Sequence, residues 1–153
     1  MSTQIIRADL VQLGAQAQEK TSAIKAAGQL LAKAGRIDPA YIDSLLRRET
    51  VANTFLGHGV AIPHGMIEDR HLIRETGIAI LQVPEGVEWN PGQRVHLVIA
   101  IAAQSDEHIA LLRRLTRLLQ DESRLAQLFA TSNPHDLIAA LDDSAAAPAA
   151  PAA

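Results

Sequence analysis

His64 is the residue of this sequence whose type and surroundings most favour chemistry. It follows a short apolar strand in the run Ile62-Pro63-His64-Gly65. Proline ends the strand and glycine allows close approach by another backbone, so the histidine is expected at a sheet edge, exposed and rigidly held. Histidine changes charge near neutral pH and can act as a base or a nucleophile. An ordinary polar turn is the alternative interpretation.

His108 is the second candidate, because it falls in the first turn of a helix that Ser105 is predicted to cap. It heads a stripe of leucines formed by Leu112, Leu115 and Leu119. The N-terminus of a helix has unpaired N–H groups and the positive end of the helix dipole, which together favour a bound anion. A half-buried histidine that only packs in the core is the alternative.

Arg47 and Arg48 end a helix just before the glycine-rich segment that leads to His64. The planar guanidinium of arginine matches the oxygens of a phosphate, so one of the two could bind an anion beside the histidine. By helical spacing Arg48 shares a line with Tyr41 and Leu45, whereas Arg47 does not. We therefore predict that Arg48 faces the body of the protein. The alternative is a solvated helix end whose cations complement the dipole.

A metal site is the competing use of the histidines, since three imidazoles can hold zinc and His58, His64 and His71 are close in sequence. Their spacing argues against it, because the segment between the first two contains glycine and proline and lacks the helical i, i+4 pattern. We predict no metal and no other cofactor. The sequence also has no cysteine, no G-x-S-x-G and no G-x-x-x-x-G-K-[ST], which excludes thiolate, serine-hydrolase and P-loop chemistry.

Composition narrows the class further. The 153 residues suit one domain, and 14 Lys and Arg against 17 Asp and Glu leave no basic excess for nucleic-acid binding. The longest uninterrupted apolar run, Leu97 to Ala103, is too short to span a membrane. The N-terminal residues do not resemble a secretory signal, so we expect a cytoplasmic protein.

Helix and strand signals alternate along the chain and must position these side chains. The predicted helices begin at Thr21 or Ser22, at Asp38-Pro39, at Ser105, at Glu122 and, after an Asn133 cap, at Pro134. The predicted strands are Val60 to Ile62, Thr76 to Val83 and Val95 to Ala103. The two longer strands are almost continuously apolar, which is typical of the centre of a sheet. The alternation indicates an α/β layer architecture.

The end of the chain has a different composition. Ser144 to Ala153 contains only alanine and proline after its first residue, and such a segment cannot form a core. We predict one domain over residues 1–143 and an interdomain linker over residues 144–153, with this chain as one module of a longer protein. A frayed tail is the alternative.

Several stretches of the sequence resemble a known family. They are Ala26-Ala27-Gly28-Gln29-Leu30-Leu31, Leu46-Arg47-Arg48-Glu49, Glu107-His108-Ile109 and, above all, Thr54-Phe55-Leu56-Gly57-His58-Gly59-Val60-Ala61-Ile62-Pro63-His64-Gly65. Together they run from about Thr21 to Asp142. They resemble the enzyme IIA domains of the mannitol/fructose class in the bacterial phosphoenolpyruvate-dependent sugar phosphotransferase system.

The resemblance implies a mixed central sheet with helices on both faces. It also implies a phosphocarrier in which His64 accepts a phosphoryl group from the phosphohistidine of the carrier HPr and passes it to a sugar-specific enzyme IIB. His108 corresponds to the family's second active-site histidine, and Arg48 to the arginine of its Arg-Glu pair. Phosphoryl transfer mainly needs positioning and charge stabilisation, which the helix start near His108, together with Arg48, could supply.

The sugar and the wider protein follow less directly from the resemblance. Members that serve mannitol often have an acidic residue where this chain has His58. The Ala/Pro segment resembles fusions in which enzyme IIA is followed by HPr and enzyme I, an arrangement common for fructose, so fructose is the expected sugar. The alternative function is that of the nitrogen-related enzyme IIA paralogues, regulatory modules that bind target proteins according to their phosphorylation state. The sequence does not determine the oligomeric state.

Overall fold

A five-stranded mixed β-sheet is the frame on which the other elements pack. The computed structural model describes residues 4–106 and 108–141. Within them the strands are β1 (Val11–Gln12), β2 (Phe55–Gly57), β3 (Val60–Ala61), β4 (Gly77–Asn90) and β5 (Gln93–Ala102). The helices are α1 (Lys20–Lys33), α2 (Tyr41–Val51), α3 (Ile109–Leu118), α4 (Glu122–Ala130) and α5 (Pro134–Leu141). Two 3₁₀ helices lie at Ala8–Leu10 and Ile67–Leu72.

The strands follow the spatial order β1-β4-β5-β3-β2. β4 and β5 pair antiparallel along most of their length, with Ile80 opposite Ile99. β3 runs parallel to β5 and pairs Val60 with Leu97, whereas the edge strand β2 is antiparallel to β3. The two long apolar strands therefore lie at the centre, as the sequence predicts, because a strand buried on both faces needs apolar residues at successive positions.

Helices cover both faces of the sheet, and each face has its own apolar core. Along β4, Ala79 and Leu81 belong to one core and Ile78 and Ile80 to the other, because successive side chains of a strand alternate. The first core includes α1 and α2 through Ala23, Ile24, Ala27, Leu31 and Leu45. The second includes α3, α4 and α5 through Leu111, Leu115, Leu125, Leu128 and Leu137. The predicted α/β fold is confirmed.

The start of α3 differs from the prediction. The helix begins at Ile109, and His108 rather than Ser105 occupies the N-cap position, without a side-chain capping hydrogen bond. Asp106 precedes the helix and accepts a backbone hydrogen bond from Ile109 N–H at 3.1 Å. The chain leaves β5 and turns before its leucines can lie on the sheet, so packing rather than the local cap signal determines where this helix starts. Glu107 lies outside the described residues.

The other predicted elements lie close to the observed ones. α1 and α2 begin near their predicted starts, but Glu19 and Ala40 occupy the N-cap positions without capping through their side chains. Asn133 Oδ1 accepts from the His135 N–H at 3.0 Å, which confirms the predicted cap of α5. β1 and β2 have no predicted counterpart, because two or three residues are too few to show periodicity.

Two further expectations concern the linker and a membrane span. The predicted linker, Ser144 to Ala153, lies outside the described residues. None of the described helices is long and apolar enough to cross a membrane.

Glu49, at the end of α2, is a buried carboxylate that joins three elements. Its Oε1 accepts from Thr54 Oγ1 at 2.5 Å, and its Oε2 accepts from Trp89 Nε1 on β4 at 3.1 Å. The Thr54 N–H also donates to Oε2 at 3.2 Å, and Lys20 Nζ on α1 lies 3.4 Å from the same oxygen. The glutamate of the Arg-Glu pair is therefore a structural anchor for the chain that leads from α2 into β2.

We expect Glu49→Ala to lower the free energy of unfolding by about 3 kcal/mol, because each buried donor left without a partner costs about 1–3 kcal/mol. Urea unfolding of the variant and the wild type measures the difference. Glu85→Ala, which removes an exposed carboxylate, is the matched control and should lie within about 0.5 kcal/mol of the wild type. Equal losses in the two variants would contradict the anchoring role.

Candidate functional site

One cavity, with a volume of about 240 Å³, is lined by both candidate histidines. β3 and β5 are parallel neighbours, so their carboxyl ends meet at the same edge of the sheet. His64 follows β3 and forms a parallel bridge with Ile101 of β5, and His108 comes shortly after β5 ends. The crevice beyond the carboxyl ends of parallel strands is a common place for ligands in α/β folds.

Most of the cavity wall is apolar. Its apolar lining residues are Ile62, Met66, Ile67, Ile73, Ile101, Ala103 and Leu112. Besides the two histidines and Gly65, the remaining lining residues are Tyr41 and Arg70. An apolar wall strengthens the few electrostatic interactions made beside it, so these polar groups decide which ligand the cavity suits.

A backbone carbonyl determines the tautomer of His64. The distance from His64 Nδ1 to the Ile62 carbonyl oxygen is 3.0 Å, and the ring is half-buried. A carbonyl oxygen can only accept, so Nδ1 carries the proton in this hydrogen bond. Nε2 then holds the lone pair, and the imidazole is oriented as a nucleophile.

The chain after His64 is fastened to α2. Gly65 N–H donates to the Tyr41 hydroxyl at 3.0 Å, and Met66 N–H donates to Ser44 Oγ at 2.8 Å. A Cβ at position 65 would clash with the Tyr41 ring, so glycine is required there. The close approach is made by this ring and not, as predicted, by another backbone. Burial raises the pKa of Tyr41, so its hydroxyl remains neutral and able to hold the Gly65 amide.

His108 contributes a second imidazole with an unusual environment. Its Nδ1 is buried and has no hydrogen-bond partner in the part of the chain that the structure describes. Nε2 is consequently the ring nitrogen left to meet a ligand in the cavity. The Ile109 N–H, at the observed start of the helix, is already bonded to the Asp106 carbonyl. An orphan polar group at a cavity is a feature that calls for a functional explanation.

Arg48 is less exposed than Arg47, as helical spacing predicts, but it does not line the cavity. Its Nη1 donates to the Ala52 carbonyl at 2.7 Å, at the C-terminal end of α2. The last carbonyls of a helix have no partner within the helix, and they attract cations. The assignment of Arg48 to phosphoryl binding stays a prediction.

Arg47 is the arginine that contacts the segment after His64. Its Nη2 lies 2.6 Å from Asp69 Oδ2, on the 3₁₀ helix Ile67–Leu72. Tyr41, Ser44 and Arg47 thus form one line on α2, with the i, i+3, i+6 spacing of a helix face. The sequence analysis did not identify this polar face, because it aligned Arg48 with Tyr41 and Leu45, which pack in the apolar core.

Arg70 is a site residue that sequence reasoning missed. It lines the cavity with His64 and His108, although nothing in its local sequence marks it. The 3₁₀ helix Ile67–Leu72 carries this residue, so that it lines the same cavity as His64. The only signal in the sequence is a basic residue soon after the Pro-His-Gly run, which is too common to identify a site.

The three histidines considered as metal ligands are not grouped. His58 lies at φ 53° in the turn between β2 and β3, beside a different surface cavity that Asp121 and Glu122 also line. Across residues 4–106 and 108–141, no three histidine, aspartate or glutamate side chains are close enough to share a metal ion.

Comparison with known proteins identifies the family. The model of the family "Phosphoenolpyruvate-dependent sugar phosphotransferase system, EIIA 2" matches residues 4–144. This chain belongs to that family. As an enzyme IIA domain it is a phosphotransferase component that carries the phosphoryl group on a histidine. The resemblance drawn from the Pro-His-Gly segment is therefore confirmed.

Relatives and solved structures agree with the family. A multiphosphoryl transfer protein of Xanthomonas campestris pv. campestris is 60% identical over 92% of this enzyme IIA domain, which spans 17% of that relative's length. The mannitol-specific enzyme IIA component of Geobacillus stearothermophilus is 30% identical, with 94% of this chain and 99% of that protein covered. The complex of Escherichia coli mannitol enzyme IIA with phosphorylated enzyme IIB contains a chain of TM-score 0.81 and 35% identity, with coverage of 89% and 97%.

Asp69 makes the stability of the fold depend on pH. A hydrogen bond from Ser44 lowers the pKa of Asp69 below the usual 3.8, and Arg47 lowers it further. Because the unfolded state then binds protons more readily, Asp69 stabilises the fold above its ordinary pKa, and this contribution disappears as the pH falls through the folded pKa.

We expect Asp69→Asn to be less stable than the wild type at about pH 6 and to approach it at about pH 3 and below. Urea unfolding across this range measures the difference in free energy at each pH. Asp43→Asn, which removes an exposed carboxylate from α2, controls for the loss of one negative charge. A difference between Asp69→Asn and the wild type that does not change with pH would contradict the assignment.

Proposed function

We propose that this enzyme IIA domain accepts a phosphoryl group on His64 Nε2 from the phosphohistidine of HPr and passes it to an enzyme IIB. The domain acts in the cytoplasm, and the transfer serves the uptake of fructose. The observation that carries the proposal is the pairing of a half-buried, Nδ1-anchored His64 with the orphan ring of His108 in one cavity. This is the arrangement of one nucleophile and one oxyanion donor that group transfer needs.

The transfer step needs no reactant besides the two histidines and the phosphoryl group. The Nε2 lone pair of His64 attacks the phosphorus of the donor phosphohistidine, so that one N–P bond forms as the other breaks. The electron pair of the broken bond returns to the ring nitrogen of the donor. The His64 Nδ1 proton remains on its hydrogen bond to Ile62, which helps to stabilise the positive charge that develops in the imidazole. In the second transfer a nucleophile of the acceptor attacks the same phosphorus, so that a new bond to phosphorus forms as the His64 N–P bond breaks and its electron pair returns to Nε2.

His108 has the complementary role of a hydrogen-bond donor. Its Nε2–H would meet a phosphoryl oxygen on His64 while Nδ1 stays buried behind it. Arg48 would join the site only by exchanging its bond to the Ala52 carbonyl for one to the phosphoryl group. We retain it as a proposed participant on the strength of the family resemblance.

The partners and the sugar rest on the relatives and on the sequence. Similarity to the Escherichia coli mannitol enzyme IIA, which was solved in complex with phosphorylated enzyme IIB, supports an enzyme IIB acceptor. Similarity to a multiphosphoryl transfer protein and the Ala/Pro segment 144–153 support a domain 1–143 fused to HPr and enzyme I. Fructose is the proposed sugar because the Ala/Pro segment resembles the fusions that are common for fructose. Transfer to purified fructose and mannitol enzymes IIB would decide the sugar.

We expect phosphoenolpyruvate, enzyme I and HPr to add one acid-labile phosphoryl group to the wild type and none to His64→Ala. NMR of the labelled protein should place the phosphorus on Nε2, because Nδ1 is bonded to the Ile62 carbonyl. His71→Ala, which removes an exposed histidine from the same segment, is the matched control and should label fully. Undiminished labelling of His64→Ala would overturn the assignment.

His108→Ala should still be labelled on His64, but at a rate about 10²–10³-fold lower, which is the typical cost of losing one oxyanion donor. Rapid-quench transfer from phospho-HPr compares the variant with the wild type. An unchanged rate would reduce His108 to a packed structural histidine. Phosphate on His108 in the wild type would mean that the two histidines have the opposite roles.

A further inference from the structure

We propose that Arg70 provides the permanent positive charge that binds the phosphoryl oxygens on His64. The inference rests on the proposed function and adds a catalytic residue to it. Of the described residues that line the cavity of His64 and His108, Arg70 is the only lysine or arginine. It is exposed, so its side chain can move toward an incoming group.

The neighbouring arginines are engaged elsewhere, whereas Arg70 is not. Arg47 pairs with Asp69 at 2.6 Å, and Arg74 lies 3.5 Å from Asp38. Arg48, as described above, bonds to the end of its own helix. Within residues 4–106 and 108–141, the Arg70 guanidinium has neither a hydrogen bond nor an ion pair. Its five N–H donors are therefore available to a ligand in the cavity beside it.

The backbone that carries Arg70 is held by contacts with α2. Asp69, its neighbour in sequence, contacts Arg47 on α2, and Met66 N–H at the head of the same 3₁₀ helix donates to Ser44 Oγ. The Cα of Arg70 is thus anchored by contacts that do not use its own side chain. The guanidinium is exposed and lines the same cavity as His64, so side-chain rotation can direct it toward a group on that histidine.

The charge of the phosphoryl group explains why a cation is needed at this place. The group carries close to two negative charges, and the wall of the cavity is mostly apolar. Charge beside an apolar wall is costly unless it is paired. His108 offers one hydrogen bond from its Nε2–H, whereas a guanidinium offers a permanent charge and several donors, in a planar geometry that matches two phosphoryl oxygens.

The test compares Arg70→Ala, Arg70→Lys and Arg74→Ala in rapid-quench transfer from saturating phospho-HPr. We expect Arg70→Ala to lower the maximal rate about 10- to 100-fold, the range for losing a charged hydrogen bond. Arg70→Lys should recover part of the rate, because lysine restores the positive charge but not the planar guanidinium that can donate to two oxygens at once. Arg74→Ala removes a nearby surface arginine outside the cavity and should transfer at the wild-type rate. Thermal unfolding of each variant checks that the fold is intact.

A second measurement separates phosphoryl binding from docking of the carrier. The equilibrium between phospho-HPr with the unphosphorylated chain and HPr with the phosphorylated chain compares free proteins, so docking affinity alone cannot move it. We expect Arg70→Ala to shift this equilibrium about 10-fold toward phospho-HPr, because the phosphorylated form loses its counter-charge.

Two results would overturn the inference. In the first, Arg70→Ala keeps the wild-type rate and equilibrium while Arg48→Ala loses both, so that Arg48 supplies the charge. In the second, Arg70→Ala raises only the KM for phospho-HPr, so that Arg70 serves docking alone. In either case a wild type labelled on His64 leaves the proposed function standing. A wild type that is not labelled on His64 refutes the proposed function, and the inference with it.

Discussion

The parallel pairing of β3 with β5 is the constraint on which the site depends. Val60 and Ala61 pair with Leu97 and Val98, and the contact continues beyond the strand, where Ile101 N–H donates to the Pro63 carbonyl at 2.9 Å. Parallel neighbours end at the same edge, so the residues that follow each strand meet there. Since β5 is buried on both faces by the two cores, its position is rigid, and the position of the imidazole that follows β3 is rigid with it.

α2 supplies the second constraint through one face of polar side chains. Tyr41, Ser44 and Arg47 contact three points along the chain after His64, at Gly65, Met66 and Asp69. The bonds to Gly65 and Met66 are buried or half-buried, and they specify one geometry because breaking them leaves a donor or acceptor without water. The pair of Arg47 with Asp69 is exposed and adds a weaker contact. Glu49 extends the same anchoring to the start of β2. Through these four side chains the helix positions the reactive segment and the strand that precedes it.

The resulting site separates the tasks of group transfer among different atoms. The Ile62 carbonyl determines which nitrogen of His64 is nucleophilic, and the buried Nδ1 of His108 leaves only its other nitrogen for a ligand. Arg70 is the only lysine or arginine among the described residues that line the cavity with both rings. Phosphoryl transfer requires little covalent chemistry from the protein, so the proposed roles of one nucleophile, one donor and one counter-charge on a rigid edge would be sufficient.

The sequence by itself determined the α/β class and the central place of β4 and β5, and it marked His64 and His108 as candidates, because apolar runs, the Pro-His-Gly segment and helix-start residues are local signals. Only the tertiary structure decided where α3 begins, that short β1 and β2 exist, and which arginine meets the site. Nothing in the local sequence distinguishes the three arginines of this region. Arg47 pairs with a carboxylate on the 3₁₀ helix, Arg48 bonds to the carbonyl at the end of its own helix, and Arg70 lines the apolar cavity. A local pattern places a residue on an element, but long-range packing and charge determine what its side chain contacts.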